Sequence, residues 1–199
     1  MNDLRVRLAA EPDLPTLVRL RDAAARWMLA RGVTRQWQPG ELDEEHFRRV
    51  MAGDGEVWIA ESVSVSVSVS VSESGSESGS EEGGVVGAWE LWWDDEAAWG
   101  VQPPVAGYVH RLMVDRTTAA PGTGRRLLTA AEHRVAATGR THVRLDCLAD
   151  NAPLNTYYRN AGYRPVGRVE GKPQPGGPPK SFTLMEKVLA PPRSVRCPL

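Results

Sequence analysis

The chain has 199 residues, 41% of them hydrophobic and 25% charged, with a formal net charge of −1 and two cysteines. That length and balance suit one globular domain with appendages, and with no basic excess a nucleic-acid partner is not expected. No secretory apolar core opens the chain, no run of ~18 apolar residues offers a membrane span, and Cys147 and Cys197 suggest neither a disulfide framework nor a zinc site, so a cytoplasmic protein without metal or membrane partner is expected.

Residues 4–9 alternate like a first strand. Asp13 is placed to cap a helix running to about residue 31, with Leu17, Leu20, Ala24, Trp27 and Met28 at helical spacing and Gly32 as its stop. Residues 33–42, which include Trp37, read as a loop, followed by a short helix over 43–52 and a strand over 56–60. A low-complexity insert at 62–84 then alternates Ser with Val before turning to Ser, Gly and Glu. Its first half has a strand period, whereas its second half cannot bury enough apolar area to order itself. The insert is expected to be an overlong hairpin loop whose first residues extend the preceding strand; the alternative is an edge strand used for self-association.

The return strand over 85–93 puts Trp89, Leu91 and Trp93 on one face and Glu90 and Trp92 on the other. Asp94, Asp95 and Glu96 make an acidic turn, either solvated or, beside the tryptophans, able to hold a cationic amine. From 108 to 128 the chain reads as an apolar strand, a turn containing Gly122, Thr123 and Gly124, and an amphipathic helix with a stripe of Leu127, Leu128, Ala131 and Val135. Such a turn presents unpaired first-turn N–H groups and the positive end of the helix dipole to whatever occupies it, although a ligand-free tight turn uses the same glycines. After Gly139 come a strand over 141–148, then Asn151, Tyr158 seven positions later, and the pair Gly162 and Tyr163. A strand, a Pro/Gly loop over 171–180, a last strand over 181–188 and a frayed tail over 190–199 complete the reading.

The strand, Gly-x-Gly turn and helix, followed by Asn151, Tyr158 and the Gly162–Tyr163 pair, resemble the GNAT superfamily of acyl-CoA-dependent N-acyltransferases over roughly residues 105–166. The resemblance implies an α/β fold with a central, mostly antiparallel mixed sheet splayed between strands 4 and 5 and helices on both faces, spanning 1–189 as a single N-acetyltransferase domain. It implies acetyl-CoA as cosubstrate and transfer of its acetyl group to a primary amine, small or on a protein, by direct attack on the thioester, in a monomer or homodimer. The loop departs from the usual pattern: Ala119 stands where the family has Arg or Gln, Ala120 at a frequent Gly, and Pro121, which has no N–H, at a common donor position. Arg125 or Arg126 either offsets that loss or forms a solvated face. A degenerate acyl-CoA-binding sensor or structural module is therefore the alternative function.

On the residues that match, Gly122, Thr123, Gly124 and Arg125 are expected at the pyrophosphate. The backbone of Leu112, Met113 and Val114 is expected to offer N–H donors to the developing oxyanion. Asn151 is expected along the pantetheine arm, or simply as a helix cap. Tyr158 matches the tyrosine that protonates the departing thiolate, and Tyr157 is given a packing role. His110, with an ordinary pKa near ~6.5, is the candidate base or else a structural residue, with Glu90, Asp146 or a water chain as alternatives. Trp37, bordering the acceptor or plugging the core, completes with Glu90 and Trp92 the expected substrate-contacting set.

Overall fold

The computed structural model describes residues 3–32, 37–63, 84–174 and 177–190. Seven strands form one mixed sheet in the order β1-β2-β3-β4-β5-β7-β6. The strands are β1 (Asp3–Leu8), β2 (Glu56–Val63), β3 (Val85–Trp92), β4 (Ala106–Val114), β5 (His142–Leu148), β6 (Arg164–Gln174) and β7 (Gly177–Val188), and the helices α1 (Leu14–Ala30), α2 (Glu44–Ala52), α3 (Glu96–Trp99), α4 (Thr123–Ala137) and α5 (Ala152–Asn160). All neighbouring strands run antiparallel except β4 and β5, which are parallel. Their pairing covers only Ala106–Tyr108 against His142–Arg144, so the strands part beyond that point and open the sheet. The expected splay between strands 4 and 5 is therefore present.

Helices cover both faces. Leu14, Leu17 and Leu20 of α1 and Phe47 and Val50 of α2 pack on Val57, Ile59, Ala88 and Met113, while Leu127, Leu128, Ala131 and Val135 of α4 pack on Ala60, Trp89, Leu91 and Val143. Burial of these apolar stripes is the main force holding the layers together. The α4 helix lies so close to the sheet that a Cβ on Gly87 would sit 2.5 Å from Leu127 Cδ1 and 2.8 Å from the Met113 carbonyl oxygen. Only glycine leaves room for that approach.

Three details differ from the sequence reading. Asp13 sits at the N-cap of α1 but makes no capping bond; its carboxylate instead accepts from Arg7 at 2.8 and 3.0 Å and from the Ala10 N–H at 2.7 Å. Residues 94–96 are not merely a turn, since Asp95 caps the extra helix α3 through the Ala98 N–H. The Pro/Gly stretch is not a loop, because β6 and β7 pair through Lys172 with Lys180 and on to Gln174 with Gly177. Residues before Ser181 in β7 pair with β6 alone, and a two-stranded extension with register shifts tolerates prolines that a central ladder would not. The insert contributes its first residues to β2, which ends at Val63; its remaining expected loop and the 191–199 tail with Cys197 lie outside the described residues.

Candidate active site

One cavity of about 730 Å³ opens where β4 and β5 part, roofed by α1 and the segment after it and floored by α5 and the β6–β7 ribbon. Its first wall is the turn into α4. Gly122 adopts φ 86° as the N-cap, a left-handed conformation that suits glycine. The N–H groups of Gly122 and Gly124 donate to no carbonyl among the described residues. Thr123 is committed to the turn itself, its N–H and hydroxyl both donating to the Ala120 carbonyl at 3.2 and 2.7 Å. Of the three residues expected to cradle an anion, the two glycines therefore keep unbonded amides, while Thr123 braces the turn from within. Arg125 lines the cavity and its buried Nη1 has no partner among the described residues, and the Arg116 guanidinium, also in the lining, lies 3.7 Å from the centre of the Trp27 ring. The turn therefore faces two arginines besides its own amides. Pro121 lies in the same lining and, as its chemistry dictates, adds no donor.

The second wall is β4 itself. Between Ala88 paired with Met113 and Glu90 paired with His110, β4 carries one residue more than β3, a β-bulge at Arg111 and Leu112. Arg111 holds φ 48°, the one non-glycine residue with positive φ among those described. A bulge re-aims the backbone it interrupts, and Leu112, Met113 and Val114 all line the cavity just beyond it. The strained residue is held from below by Glu90. That carboxylate is fully buried and accepts from Arg111 Nη1 at 2.6 Å, meets His46 Nε2 at 2.9 Å and accepts from the Trp92 indole at 3.1 Å. Burial pushes its pKa up, but His46, the charge of Arg111 and Trp92 outweigh that and hold it below the ordinary carboxylate range.

Glu90 and Trp92, expected to contact substrate, do not line the cavity. Glu90 is enclosed and spent on three partners, and Trp92 is tied to Glu90, touching the site only through the edge of His110, ring centres 6.4 Å apart. His110 does face the cavity, settling the direction that strand parity left open. Its Nε2 lies 3.3 Å from Asp95 Oδ2, and Asp95, His110 and Asp146 bring one polar atom each within 4.8 Å of one another. Burial raises the Asp95 carboxyl, but His110 outweighs it and the group stays below its ordinary range. Asp146 is faced by the Lys172 ammonium at 3.6 Å. Asp95 was unreadable as a site residue, because three adjacent acids look alike until α3 turns one of them inward.

Tyr158 forms the third wall. It is 9% exposed, contacts the rings of Tyr157 and Tyr163 edge-on, and its hydroxyl makes no hydrogen bond among the described residues. Burial drives its pKa upward, so it is a phenol carrying its proton at neutral pH. Asn151 caps α5, accepting from the Leu154 N–H at 3.1 Å, and also lines the cavity, so both of its expected places are compatible. Cys147 lines it too, its thiol pushed up to about 12 mainly by burial. The Tyr157 hydroxyl would lie 3.2 Å from a Cβ on Gly124, which places it beside the turn.

At the far end, Trp37 lines the cavity, and the guanidinium of Arg21 lies 4.0 Å from the centre of its ring. The same ring also packs against the α1–α2 core, as the core-plug reading expects. Arg21 and Glu41, joined at 2.7 Å, were missed by sequence reasoning. A signal existed: positions 17, 21, 24 and 28 share one helix face, and an arginine inside an apolar stripe marks a buried charge.

Comparison with known proteins accords with this arrangement. The profile of the acetyltransferase (GNAT) family matches residues 67–163. The chain is similar to the uncharacterized N-acetyltransferase YesJ of Bacillus subtilis, 40% identical over 77 residues, a match spanning 39% of this chain and 39% of that relative's length. In fold it is similar to a GNAT-family acetyltransferase of Listeria monocytogenes, with TM-score 0.65, 24% identity and coverage of 94% of this chain and 95% of that one. It is likewise similar to the protein yncA of Salmonella typhimurium, solved with its cofactor acetyl-CoA, with TM-score 0.63, 14% identity and coverage of 98% and 100%. Residues 67–163 are thus similar in sequence to the acetyltransferase (GNAT) family, and the whole fold is that of solved GNAT-family acetyltransferases.

Proposed function

We propose that this protein transfers the acetyl group of acetyl-CoA to a primary amine by direct attack on the thioester, within one N-acetyltransferase domain spanning 1–189 that acts in the cytoplasm. The observation that carries the reading is that one cavity joins unbonded amides at a helix N-terminus, a backbone bulge, a histidine and a buried phenol. The Salmonella relative in fold, solved with acetyl-CoA, supports the choice of cosubstrate.

In this reading the pyrophosphate rests on the Gly122 and Gly124 amides with Arg125 and Arg116 beside it. The pantetheine arm runs past Asn151 between the parted strands, and the thioester carbonyl meets N–H groups from the bulged segment of Leu112 to Val114. An alkylammonium has a pKa of ~10.4 and must lose a proton to attack. His110, oriented by Asp95, takes that proton; the C–N bond forms, the C–S bond breaks, and the sulfur leaves toward Tyr158. A phenol with a pKa of at least ~10 does not protonate a thiolate near ~8.5 outright, so Tyr158 first donates a hydrogen bond to the developing charge and the proton follows late. Direct attack is favoured over an acyl-cysteine intermediate, because a Cys147 thiol near about 12 holds almost no thiolate at neutral pH. Coenzyme A release from acetyl-CoA, measured against a panel of primary amines, tests the proposal. No release with any amine, at protein concentrations that bind acetyl-CoA, would overturn it in favour of a non-catalytic binder.

A further inference from the structure

The geometry points to an anion subsite formed by Arg21 and Arg111 at the acceptor end of the cavity, so that the acceptor is a small amino acid whose carboxylate docks there while its amine is acetylated. This rests on the acetyl-transfer reading and names the substrate class of the same site. The Arg21 side chain is 2% exposed, yet it lines the cavity. Its Nη2 donates to Glu41 at 2.7 Å, the Trp37 ring covers its face, and its Nε and Nη1 are buried with no partner among the described residues. Buried polar groups are paired almost without exception, and an idle charged donor inside a cavity is a position awaiting an acceptor.

Arg111 faces the same space from β4 and is close enough for its charge to act on Arg21. One of its nitrogens is fixed on Glu90 at 2.6 Å, and the side chain remains 30% exposed. Each arginine has one carboxylate partner, Glu41 or Glu90, and the donors those partners leave over suit an anion placed between the two guanidinium groups. An anion here is separate from the one expected at the α4 turn, which has its own donors in the Gly122 and Gly124 amides, Arg125 and Arg116. At the amine end, Asp95 and Asp146 stand beside His110; Lys172, 3.6 Å from Asp146, balances one of the two carboxylates and leaves one negative charge in excess for a cation. Opposite charges at two ends of one cavity match the two ends of an amino acid, and His110 precedes Arg111 directly in β4.

The test compares amino acids with their carboxamides on the full-length wild-type chain, following coenzyme A release. Each amino acid is expected to exceed its carboxamide at least tenfold in kcat/KM, chiefly through KM, and Arg21→Gln should bring that ratio within about threefold while leaving acetyl-CoA affinity in calorimetry unchanged. Carboxamides that serve as well as the acids in the wild type would overturn the subsite. A tenfold loss of acetyl-CoA affinity in Arg21→Gln would also overturn it, assigning the arginine to a cofactor phosphate. Should Arg21→Gln fail to fold, the wild-type comparison still decides. Calorimetry of N-acetyl amino acids against N-acetyl carboxamides, titrated into the protein with coenzyme A, separates the two proposals: carboxylate-dependent binding without turnover sinks the transferase and keeps the subsite.

Discussion

Replacing Glu90 with alanine attacks the one group that holds the bulge, the strained Arg111 and the α2 helix together. The carboxylate is fully buried and meets Arg111, His46 and Trp92 within 3.1 Å, so its loss leaves two ionisable groups and an indole N–H without their acceptor. Removing one member of a buried ion pair costs about 3–5 kcal/mol. Because Arg111 is 30% exposed and can be partly rehydrated, the lower end, about 3 kcal/mol, is expected. At about 2–4 °C per kcal/mol for a domain of this size, the midpoint should fall by about 6–12 °C. Circular dichroism melts and urea titrations of the wild type, Glu90→Ala and Glu90→Gln provide the assay, with glutamine intermediate because it keeps one acceptor but no charge. Acetyl transfer should fall in Glu90→Ala as well, since φ 48° at Arg111 persists only while its surroundings enforce it. A stability loss below about 1 kcal/mol together with unchanged turnover would refute the claim that Glu90 sustains the bulge.

Gly124→Glu should abolish acetyl-CoA binding in calorimetry, because the new side chain starts 3.2 Å from the Tyr157 hydroxyl and brings negative charge to the cradle; unchanged affinity would place the cofactor elsewhere. Replacing residues 64–83 with Asn-Gly should leave turnover intact, since the Ser62 N–H and the Gly84 carbonyl already meet at 3.1 Å and closing a shorter loop costs less entropy; a collapse of activity would show that the insert has a role. Asp115, whose carboxyl burial raises but Thr117 and Arg19 pull below its ordinary value, contributes stability that is present above its unfolded pKa of ~3.9 and lost as pH falls through the lower folded value. The wild type should therefore lose stability below about pH 4, and Asp115→Asn should flatten that slope in melts recorded against pH; an unaltered slope would contradict the assignment.

The parts of this molecule that local sequence encodes were legible before the structure. The turn at Gly122 and Gly124, the cap at Asn151 and the stripe of α4 each depend on neighbours within a turn or two of chain. The parts that depend on distant partners were not. Glu90 alternates with Trp89 and Leu91 and so reads as a solvent-facing or substrate-facing acid; only His46, forty-four residues away, and Arg111 across the sheet bury it. Asp13 looked like a cap until Arg7 claimed its carboxylate. Asp95 acquires its meaning from His110, on another strand. The Pro/Gly stretch misled because Pro178 and Pro179 lie where β7 has lost its second neighbour, a tertiary circumstance that composition cannot carry.

The central claim is that a buried phenol assists departure of coenzyme A while an amine takes the acetyl group, and Tyr158→Phe tests it most directly. With any working amine, steady-state coenzyme A release should fall by roughly 10²-fold or more while the melting temperature and acetyl-CoA affinity stay nearly unchanged, and a pre-steady-state trace should locate the loss in the chemical step. If Tyr158 is instead ordinary core, deleting its hydroxyl should alter stability by no more than about 1 kcal/mol and leave the rate alone. A fall of less than about threefold in the chemical step itself would remove Tyr158 from the mechanism.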